Sequence, residues 1–244
     1  MNKIKERISV VFPVYNEETI IEKTITDYYN EFKGKFTFEM IIREDGSIDK
    51  TKEILKRLSK EFPIRVYTSN ARKGYQWSVI DALKYAKYEW IFLVDSDYQY
   101  KPEDFWRLAS YIGKYDIILG RRVKRMDSWH RILMSKSFNS LIRMMFHVPY
   151  MDIEPGYRLL KKSVIKKIIP SLNCLSYFTA ELVIRAHNMG YKIIEVPVSH
   201  LKRKKGATNV FKIYKIPNIV IREFIGIFKL MSEISKLKNK RNNF

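Results

Sequence analysis

Two carboxylates stand one residue apart at the end of an apolar run near the middle of the chain. The segment Trp90–Val94 is uniformly apolar, and it is followed by Asp95, Asp97 and Gln99. Five apolar residues in a row are typical of a buried strand of a parallel sheet, and such sheets bind ligands beyond the carboxyl ends of their strands. Carboxylate and amide oxygens suit Mg²⁺ or Mn²⁺, which are commonly held together with substrate phosphates. The segment therefore predicts a divalent-metal site, with solvated turn residues as the alternative.

Acidic residues also follow the two strands that are predicted first along the chain. The strand at 8–14 is followed by Glu17, and the strand at 38–42 by Glu44 and Asp45. A carboxylate at such a place can accept hydrogen bonds from a nucleobase or from ribose hydroxyls, although turn and helix-cap roles are the alternative. The glycine signatures that cradle phosphates are missing. We therefore expect a nucleotide pocket beside the metal site, in which metal and basic side chains meet the phosphate charge.

The elements that position these residues alternate between strand and helix. Strands are predicted at 8–14, 38–42, 64–69, 90–94, 116–120 and 192–198, and helices at about 17–32, 50–60, 74–86, 129–147 and 178–189 and after Pro102. This alternation predicts an α/β fold with a mainly parallel sheet and helices on both faces.

Charge is distributed very unevenly along the chain. The net charge is +20, of which residues 1–120 carry +1 and residues 121–244 carry +19. The basic half predicts a polyanionic partner, which could be nucleic acid, an anionic membrane surface or a phosphorylated substrate. Because only the charge changes near residue 120, the chain is interpreted as one domain with a basic extension.

The last segment allows two interpretations. Apolar residues dominate 216–231, but Arg222, Glu223 and Lys229 interrupt them. Such a helix could lie in a membrane interface, or it could pack on the core or in a dimer interface. The N-terminal segment has no sustained apolar region of a signal peptide, and the single Cys174 fits a reducing compartment.

Taken together, the motifs resemble a known family. The segments VVFPVYNEE, EDGSIDKT, DSDYQY, DIEPGYR and RKKGAT occur in the order and spacing of family 2 glycosyltransferases of the GT-A fold. The chain is most similar to the branch that transfers mannose or glucose to dolichyl or polyprenyl phosphate. The resemblance implies a GT-A domain at 1–209 and a basic amphipathic helical tail at 210–244.

The resemblance also implies roles for individual residues. Donor nucleotide binding is implied for Pro13, Tyr15, Glu17, Glu44, Asp45 and Asp95, and metal binding for Asp95, Asp97 and Gln99. Binding of the acceptor and its phosphate is implied for Arg122, Arg131, Ser135, Arg203 and Lys205. Catalytic roles are implied for Asp97, Arg122, Arg131 and Asp152. The sequence departs from the family at Glu44, where aspartate is usual, and at Glu154, where a small or amide residue is more common, so the sugar that fits stays open.

The implied enzyme is an inverting, metal-dependent transferase. It would move a sugar from a donor of the GDP-mannose or UDP-glucose type to a polyprenyl or dolichyl phosphate. It would be cytoplasmic and peripheral at the cytoplasmic face of the membrane, on an anionic surface, and no nucleic acid is expected.

Two alternatives remain open. The first is transfer to a hydroxyl of a surface glycan, for which family members often carry a Glu-Asp pair at the place of Phe178 and Thr179 here. Its absence favours a phosphate acceptor, although Glu181 or Asp152 could still serve as a base. The second alternative is a nucleic-acid-binding module that uses the basic half of the chain.

Overall fold

A computed structural model of the chain describes residues 4–173, 175, 178–203 and 216–242, with side chains in the last range described for 221–237. These residues form one sheet of seven strands in the order β3-β2-β1-β4-β6-β5-β7. The strands are β1 (Ile8–Val14), β2 (Phe38–Glu44), β3 (Ile64–Thr68), β4 (Trp90–Val94), β5 (Ile117–Val123), β6 (Tyr157–Lys161) and β7 (Ile193–Ser199). Neighbouring strands are parallel except at β6, which runs antiparallel to β4 and β5. The predicted α/β class with a mainly parallel sheet is confirmed.

Helices cover both faces of the sheet. They are α1 (Ile21–Phe32), α2 (Thr51–Glu61), α3 (Tyr75–Tyr85), α4 (Phe105–Ala109), α5 (Trp129–Phe146), α6 (Lys162–Ile168), α7 (Phe178–Asn188) and α8 (Ile216–Asn242). Side chains of β1 alternate between the two faces: Val10 and Phe12 pack with α1, α2 and α4, whereas Val11 packs with α3, α5, α6, α7 and α8. Because both faces are covered, β4 is apolar throughout and Ser9 is the one polar residue of β1.

The order of the strands creates a crevice at one edge of the sheet. From β1 the chain builds β2 and β3 on one side and then crosses to β4 on the other side. Both neighbours are parallel to β1, and Val11 pairs with Leu93. Ligands bind at such a reversal, outside the carboxyl ends of the strands. The fold therefore brings Glu17, after β1, and Asp95, after β4, to the same crevice.

Strand β6 and helix α6 were not predicted. The sequence of β6, YRLLK, carries a charged residue among its apolar ones, and Pro155 and Gly156 precede it. Arg158 is nevertheless only 1% exposed, because β6 lies between β4 and β5 in the interior of the sheet. The antiparallel course of β6 leads the preceding segment past the end of β4, where the Asp95 N–H donates to the Gly156 carbonyl at 2.8 Å.

Helix α8 has two apolar faces. Ile227, Leu230 and Ile234 are buried in the core, and Glu233 bonds to Arg185 of α7 at 2.6 Å. Its other apolar side chains, Ile221, Phe224, Ile225 and Phe228, are exposed. One face of the tail therefore packs on the core, as one of the two interpretations expected. Within the described part of the chain, no helix combines the length and apolar character needed to cross a membrane.

Candidate active site

A large cavity opens at the crevice between β1 and β4. Its volume is about 1270 Å³, and it reaches from the strand ends to α5 and α8. Polar and charged side chains line much of the cavity, and Leu133, Phe138, Leu141, Phe224 and Ile227 add apolar surface on the side of α5 and α8. Since pockets for one small ligand usually measure roughly 300–1,000 Å³, this cavity has room for two substrates of different polarity.

Most of the site residues predicted from the sequence line this cavity. They are Pro13, Tyr15, Glu17, Asp45, Asp95, Asp97, Gln99, Arg122, Arg131, Ser135 and Arg203. Glu44 and Asp152 do not line it, and Lys205 lies outside the described residues.

Neighbouring acids at the end of β2 have different positions. The Asp45 carboxylate accepts hydrogen bonds from the backbone N–H groups of Lys73 and Gly74, both at 2.8 Å, and so holds the loop before α3. Glu44 is fully buried, and its Oε1 accepts a hydrogen bond from the Ser47 N–H. Glu44 therefore stabilises the turn after β2 and does not line the cavity, and its role in nucleotide binding stays a prediction.

Tyr15, Arg72 and Arg203 line the cavity together with Glu17, the acid that follows β1. The guanidinium of Arg72 lies 4.1 Å from the centre of the Tyr15 ring, which makes a flat wall suited to a nucleobase. Arg203 donates to Glu17 at 2.6 Å, although burial still raises the pKa of Glu17 to about 7. Arg72 was not predicted, because nothing in the sequence pairs it with Tyr15.

Asp95 and Asp97 share a buried, negatively charged position. The Tyr75 hydroxyl donates to Asp95 at 2.7 Å, and the Gln99 N–H donates to Asp97 at 3.2 Å. Burial raises the pKa of both carboxyls, and with the added repulsion of Asp95 it raises the pKa of Asp97 to about 6. A bound cation would relieve this repulsion and favour the ionised form of both groups.

These donors fit a divalent cation that is shared with a substrate. Asp95 and Asp97 offer hard carboxylate oxygens, and Gln99 lies beside them in the cavity wall. The described ranges contain no cluster of three or more His, Cys, Asp or Glu side chains arranged to hold a metal. A cation here would therefore take its remaining ligands from diphosphate and water, as Mg²⁺ commonly does.

Gly156 packs directly against the carboxyl group of Asp95. A Cβ at this position would collide with that carboxyl group. We expect Gly156→Ala to displace Asp95 and to weaken binding of a nucleoside diphosphate in the presence of Mn²⁺ by about tenfold or more, measured by titration calorimetry. Gly34→Ala is the control, because a Cβ at Gly34 would lie in open space after the end of α1, and its only penalty is the backbone strain of a φ of +76°. Unchanged affinity in Gly156→Ala would contradict this positioning role.

Arg122 and Asp152 form a bidentate ion pair beside the cavity. The Nε and Nη2 atoms of Arg122 each lie 2.7 Å from a carboxylate oxygen of Asp152. Burial opposes ionisation of Asp152, but these hydrogen bonds outweigh it and keep its pKa below the ordinary value. Asp152 therefore holds the Arg122 guanidinium, and the catalytic role implied for Asp152 stays a prediction.

A second charged cluster lies between β5 and α5. Arg125 makes two hydrogen bonds to Asp127, at 2.8 and 3.0 Å, and a third to the Ser135 hydroxyl at 2.8 Å. Arg131 lies 3.3 Å from Asp127 and is partly exposed to the cavity. Arg125 and Asp127 were missed, although the basic run that begins at Arg121 was a signal for them.

The acid considered as an alternative base lies away from the site. Glu181 is fully buried, pairs with Arg185 at 2.7 Å and accepts the Leu175 N–H at 2.9 Å. Its role is to fix the start of α7, so the interpretation of Glu181 as a base is wrong. Thr179, at the position where hydroxyl-glycosylating relatives often carry an acid, does line the cavity.

Two further charged residues belong to this region: Arg158 was missed, and Glu154 was noted in the sequence only as a departure from the family. Arg158 is buried, its positive charge acts on Asp95, and its Nε and Nη1 atoms have no hydrogen-bond partner among the described residues. Glu154 lines the cavity. Arg158 lies on β6 and Glu154 precedes that strand, which the sequence pattern did not predict.

Comparison with known proteins identifies the family. The model of glycosyl transferase family 2 matches residues 9–169. The chain belongs to this family. The family and the transferase class predicted from the sequence are thereby confirmed.

Two of the curated relatives are transferases of the same name from different organisms. The chain is 29% identical over 220 residues to an undecaprenyl-phosphate 4-deoxy-4-formamido-L-arabinose transferase of Edwardsiella ictaluri. This match covers 87% of the chain. It is also 29% identical over 222 residues to the transferase of that name from Pectobacterium carotovorum. The chain spans 65% of the length of each relative.

Solved structures show the same fold at low sequence identity. Glucosyl-3-phosphoglycerate synthase of Mycobacterium tuberculosis in complex with UDP has a TM-score of 0.69 and 16% identity, covering 93% of this chain and 80% of that one. The mannosyltransferase PcManGT of Pyrobaculum calidifontis, in complex with GDP-Man and Mn²⁺, has a TM-score of 0.68 and 15% identity, covering 92% and 65%.

Proposed function

We propose that this glycosyltransferase moves a sugar from a nucleoside-diphosphate sugar to a polyprenyl phosphate, with inversion and with a divalent metal. The observation that carries the proposal is the composition of the cavity, which is lined by a carboxylate pair, a group of arginines and apolar side chains of α5 and α8. The names of the curated relatives, which contain undecaprenyl phosphate, support the acceptor. The Mn²⁺ and GDP-Man of a solved neighbour support the metal and the type of donor.

The donor would lie at the carboxylate end of the cavity. Its base would meet the Tyr15–Arg72 wall, and its diphosphate would approach Asp95 and Asp97. A bound divalent cation supplies Lewis-acid stabilisation of the leaving diphosphate. Arg203, which lies 3.8 Å from Asp97, adds a positive charge at the same place.

The acceptor would lie at the arginine end of the cavity. A lipid phosphate is already anionic near neutral pH, so it needs placement and no general base. Arg122, Arg125 and Arg131 all line the cavity and are held by the carboxylates of Asp152 and Asp127. Fixed guanidinium groups of this kind bind phosphate with defined geometry. Attack on the anomeric carbon from the face opposite the diphosphate inverts its configuration.

A hydroxyl acceptor is the second candidate, and one observation favours it. Burial raises the pKa of Glu154 to about 7, which is the range that suits a general base near neutral pH. Glu154 also lines the cavity. A sugar linked to a lipid phosphate is released by mild acid, whereas a sugar linked to a hydroxyl resists it. That treatment of the product separates the two candidates.

A donor panel tests the proposed function. Purified protein, Mn²⁺ or Mg²⁺ and a short polyprenyl phosphate would be incubated with GDP- and UDP-sugars and assayed for lipid-linked sugar. Metal-dependent, acid-labile product from one donor supports the proposal. Bound nucleotide without lipid-linked product from any donor would contradict the phosphate acceptor.

Arg131 should matter more to the acceptor than to the donor. We expect Arg131→Ala to raise the KM for polyprenyl phosphate by about tenfold or more, because a charge-assisted phosphate contact contributes roughly 1.5–3 kcal/mol. The affinity for the nucleoside diphosphate should stay within about twofold. Lys136→Ala is the control, since Lys136 is exposed on the same helix and does not line the cavity. Equal losses for both substrates would contradict the acceptor role.

The membrane contact that we propose lies on the exposed face of α8. Ile221, Phe224, Ile225 and Phe228 recur at helical spacing and form one apolar stripe. Phe224 also lines the cavity, so the stripe reaches the apolar side chains of the cavity wall. An apolar stripe within the basic half of the chain suits the interface of an anionic bilayer. We propose that it rests on the cytoplasmic face, where it would receive the acceptor.

Substitution within the stripe tests this contact. We expect Ile225→Ser combined with Phe228→Ser to lower binding to anionic vesicles by about tenfold or more in a co-sedimentation assay, because each side chain loses apolar burial. Deletion of the tail is a poorer test, since it also removes Ile227 and Leu230 from the core. Leu237→Ser, an exposed position off the stripe, is the control. Undiminished binding of the double variant would contradict membrane contact.

A further inference from the structure

Glu154 lines the cavity, but the proposed transfer to a polyprenyl phosphate gives it no contact with a substrate. It lies two residues from Asp152, which holds Arg122, and two residues from Gly156, which touches Asp95. Along the chain Glu154 therefore lies between a residue of the proposed acceptor end and one of the proposed donor end, and the charges of Arg122 and Arg158 both act on it. Its carboxyl group accepts no hydrogen bond from any residue that the structure describes, and its side chain is only partly exposed.

When a ligand fills the cavity and displaces its water, the Glu154 carboxyl group needs hydrogen-bond donors from that ligand. Burying a polar group without a partner costs free energy, and buried polar groups are almost always paired. The diphosphate of the donor and the phosphate of the acceptor carry negative charge and offer acceptors, so neither can fill this need. The sugar must lie between those two groups for transfer to occur, and its hydroxyls are donors.

We propose that Glu154 accepts hydrogen bonds from hydroxyl groups of the donor sugar and thereby determines which sugar is transferred. The inference rests on the proposed function for the order of substrates in the cavity. A carboxylate can accept from two neighbouring hydroxyls at once, which makes the contact sensitive to their presence and configuration. A sugar that lacks the contacted hydroxyl leaves the carboxylate unpaired, and such sites reject deoxy analogues strongly.

The test compares wild type, Glu154→Gln and Glu154→Ala with the accepted donor and with deoxy analogues of its sugar. We expect Glu154→Ala to lower kcat/KM for the accepted donor by about 10²-fold or more. With the analogue that lacks the contacted hydroxyl, all three proteins should react at similar rates. Affinity for the bare nucleoside diphosphate should not change. Glu61→Gln, at an exposed end of α2, is the control.

Other outcomes overturn the inference. An equal loss in Glu154→Ala for the accepted donor and for every deoxy analogue would contradict a contact with the sugar. An equal loss in Glu154→Gln and Glu154→Ala, relieved as pH rises, would instead indicate a general base.

The contact between Glu154 and the sugar can also be tested if polyprenyl phosphate is not the acceptor. Calorimetry on the nucleoside-diphosphate sugar and on the bare nucleoside diphosphate measures the contribution of the sugar without any transfer. If that contribution is the same in wild type and Glu154→Ala, the sugar contact is absent whatever the acceptor is.

Discussion

Asp97→Ala is expected to lower kcat by about 10³-fold or more while the protein stays folded. Removing a single electrostatic donor to a developing oxyanion commonly costs about 10²–10³-fold, and loss of a metal carboxylate removes more than one such interaction. The free energy of unfolding should not fall, because Asp97 is one of two buried carboxylates that repel each other. Initial rates and thermal unfolding of the same preparation measure both effects.

The control for this variant removes an acid from the surface. Glu61→Ala breaks only an exposed pair with Arg57 on α2, so its rate should match that of wild type. Turnover by Asp97→Ala at the wild-type rate would remove the metal assignment from Asp95 and Asp97.

Arg122→Ala is expected to lower both activity and stability. It leaves Asp152 buried without its bidentate partner, and breaking a buried ion pair from one side costs about 3–5 kcal/mol. The loss of a fixed cation in the cavity should lower kcat/KM by about 10²-fold or more. Urea unfolding and steady-state kinetics measure the two effects.

A double variant separates stability from chemistry. Arg122→Met with Asp152→Leu removes both charges, so most of the lost stability should return. Activity should stay low, because the cavity still lacks the guanidinium. Recovery of activity together with stability would mean that Arg122 acts through the fold alone and does not contact a substrate.

The parts of the fold that were predictable have a simple local pattern. Strands β1 and β4 are buried on both faces, so β4 is an unbroken apolar run and β1 is apolar except for Ser9. The places of Asp95 and Asp97 at the end of β4 follow from that pattern. Strand β6 was not predictable, because the buried Arg158 breaks the pattern and its partners β4 and β5 are distant in sequence.

Side-chain direction and pairing were harder to predict than position. Glu44 and Asp45 are adjacent, yet Glu44 ends a strand and points into the interior while Asp45 begins the loop that lines the cavity. The pairing of Asp152 with Arg122 joins residues 30 positions apart, which a single sequence does not reveal. The two faces of α8 likewise became distinct only when the contact with α7 was known.

The most direct test of the proposed acceptor is a comparison of two lipids that differ only in the phosphate. A radiolabelled nucleoside-diphosphate sugar, Mn²⁺ and the purified protein would be incubated with polyprenyl phosphate or with the corresponding polyprenol. Product from polyprenyl phosphate alone is the predicted result, because the arginines can place a phosphate and no base is required. Product from polyprenol at a comparable rate would contradict the phosphate acceptor and would favour transfer to a hydroxyl.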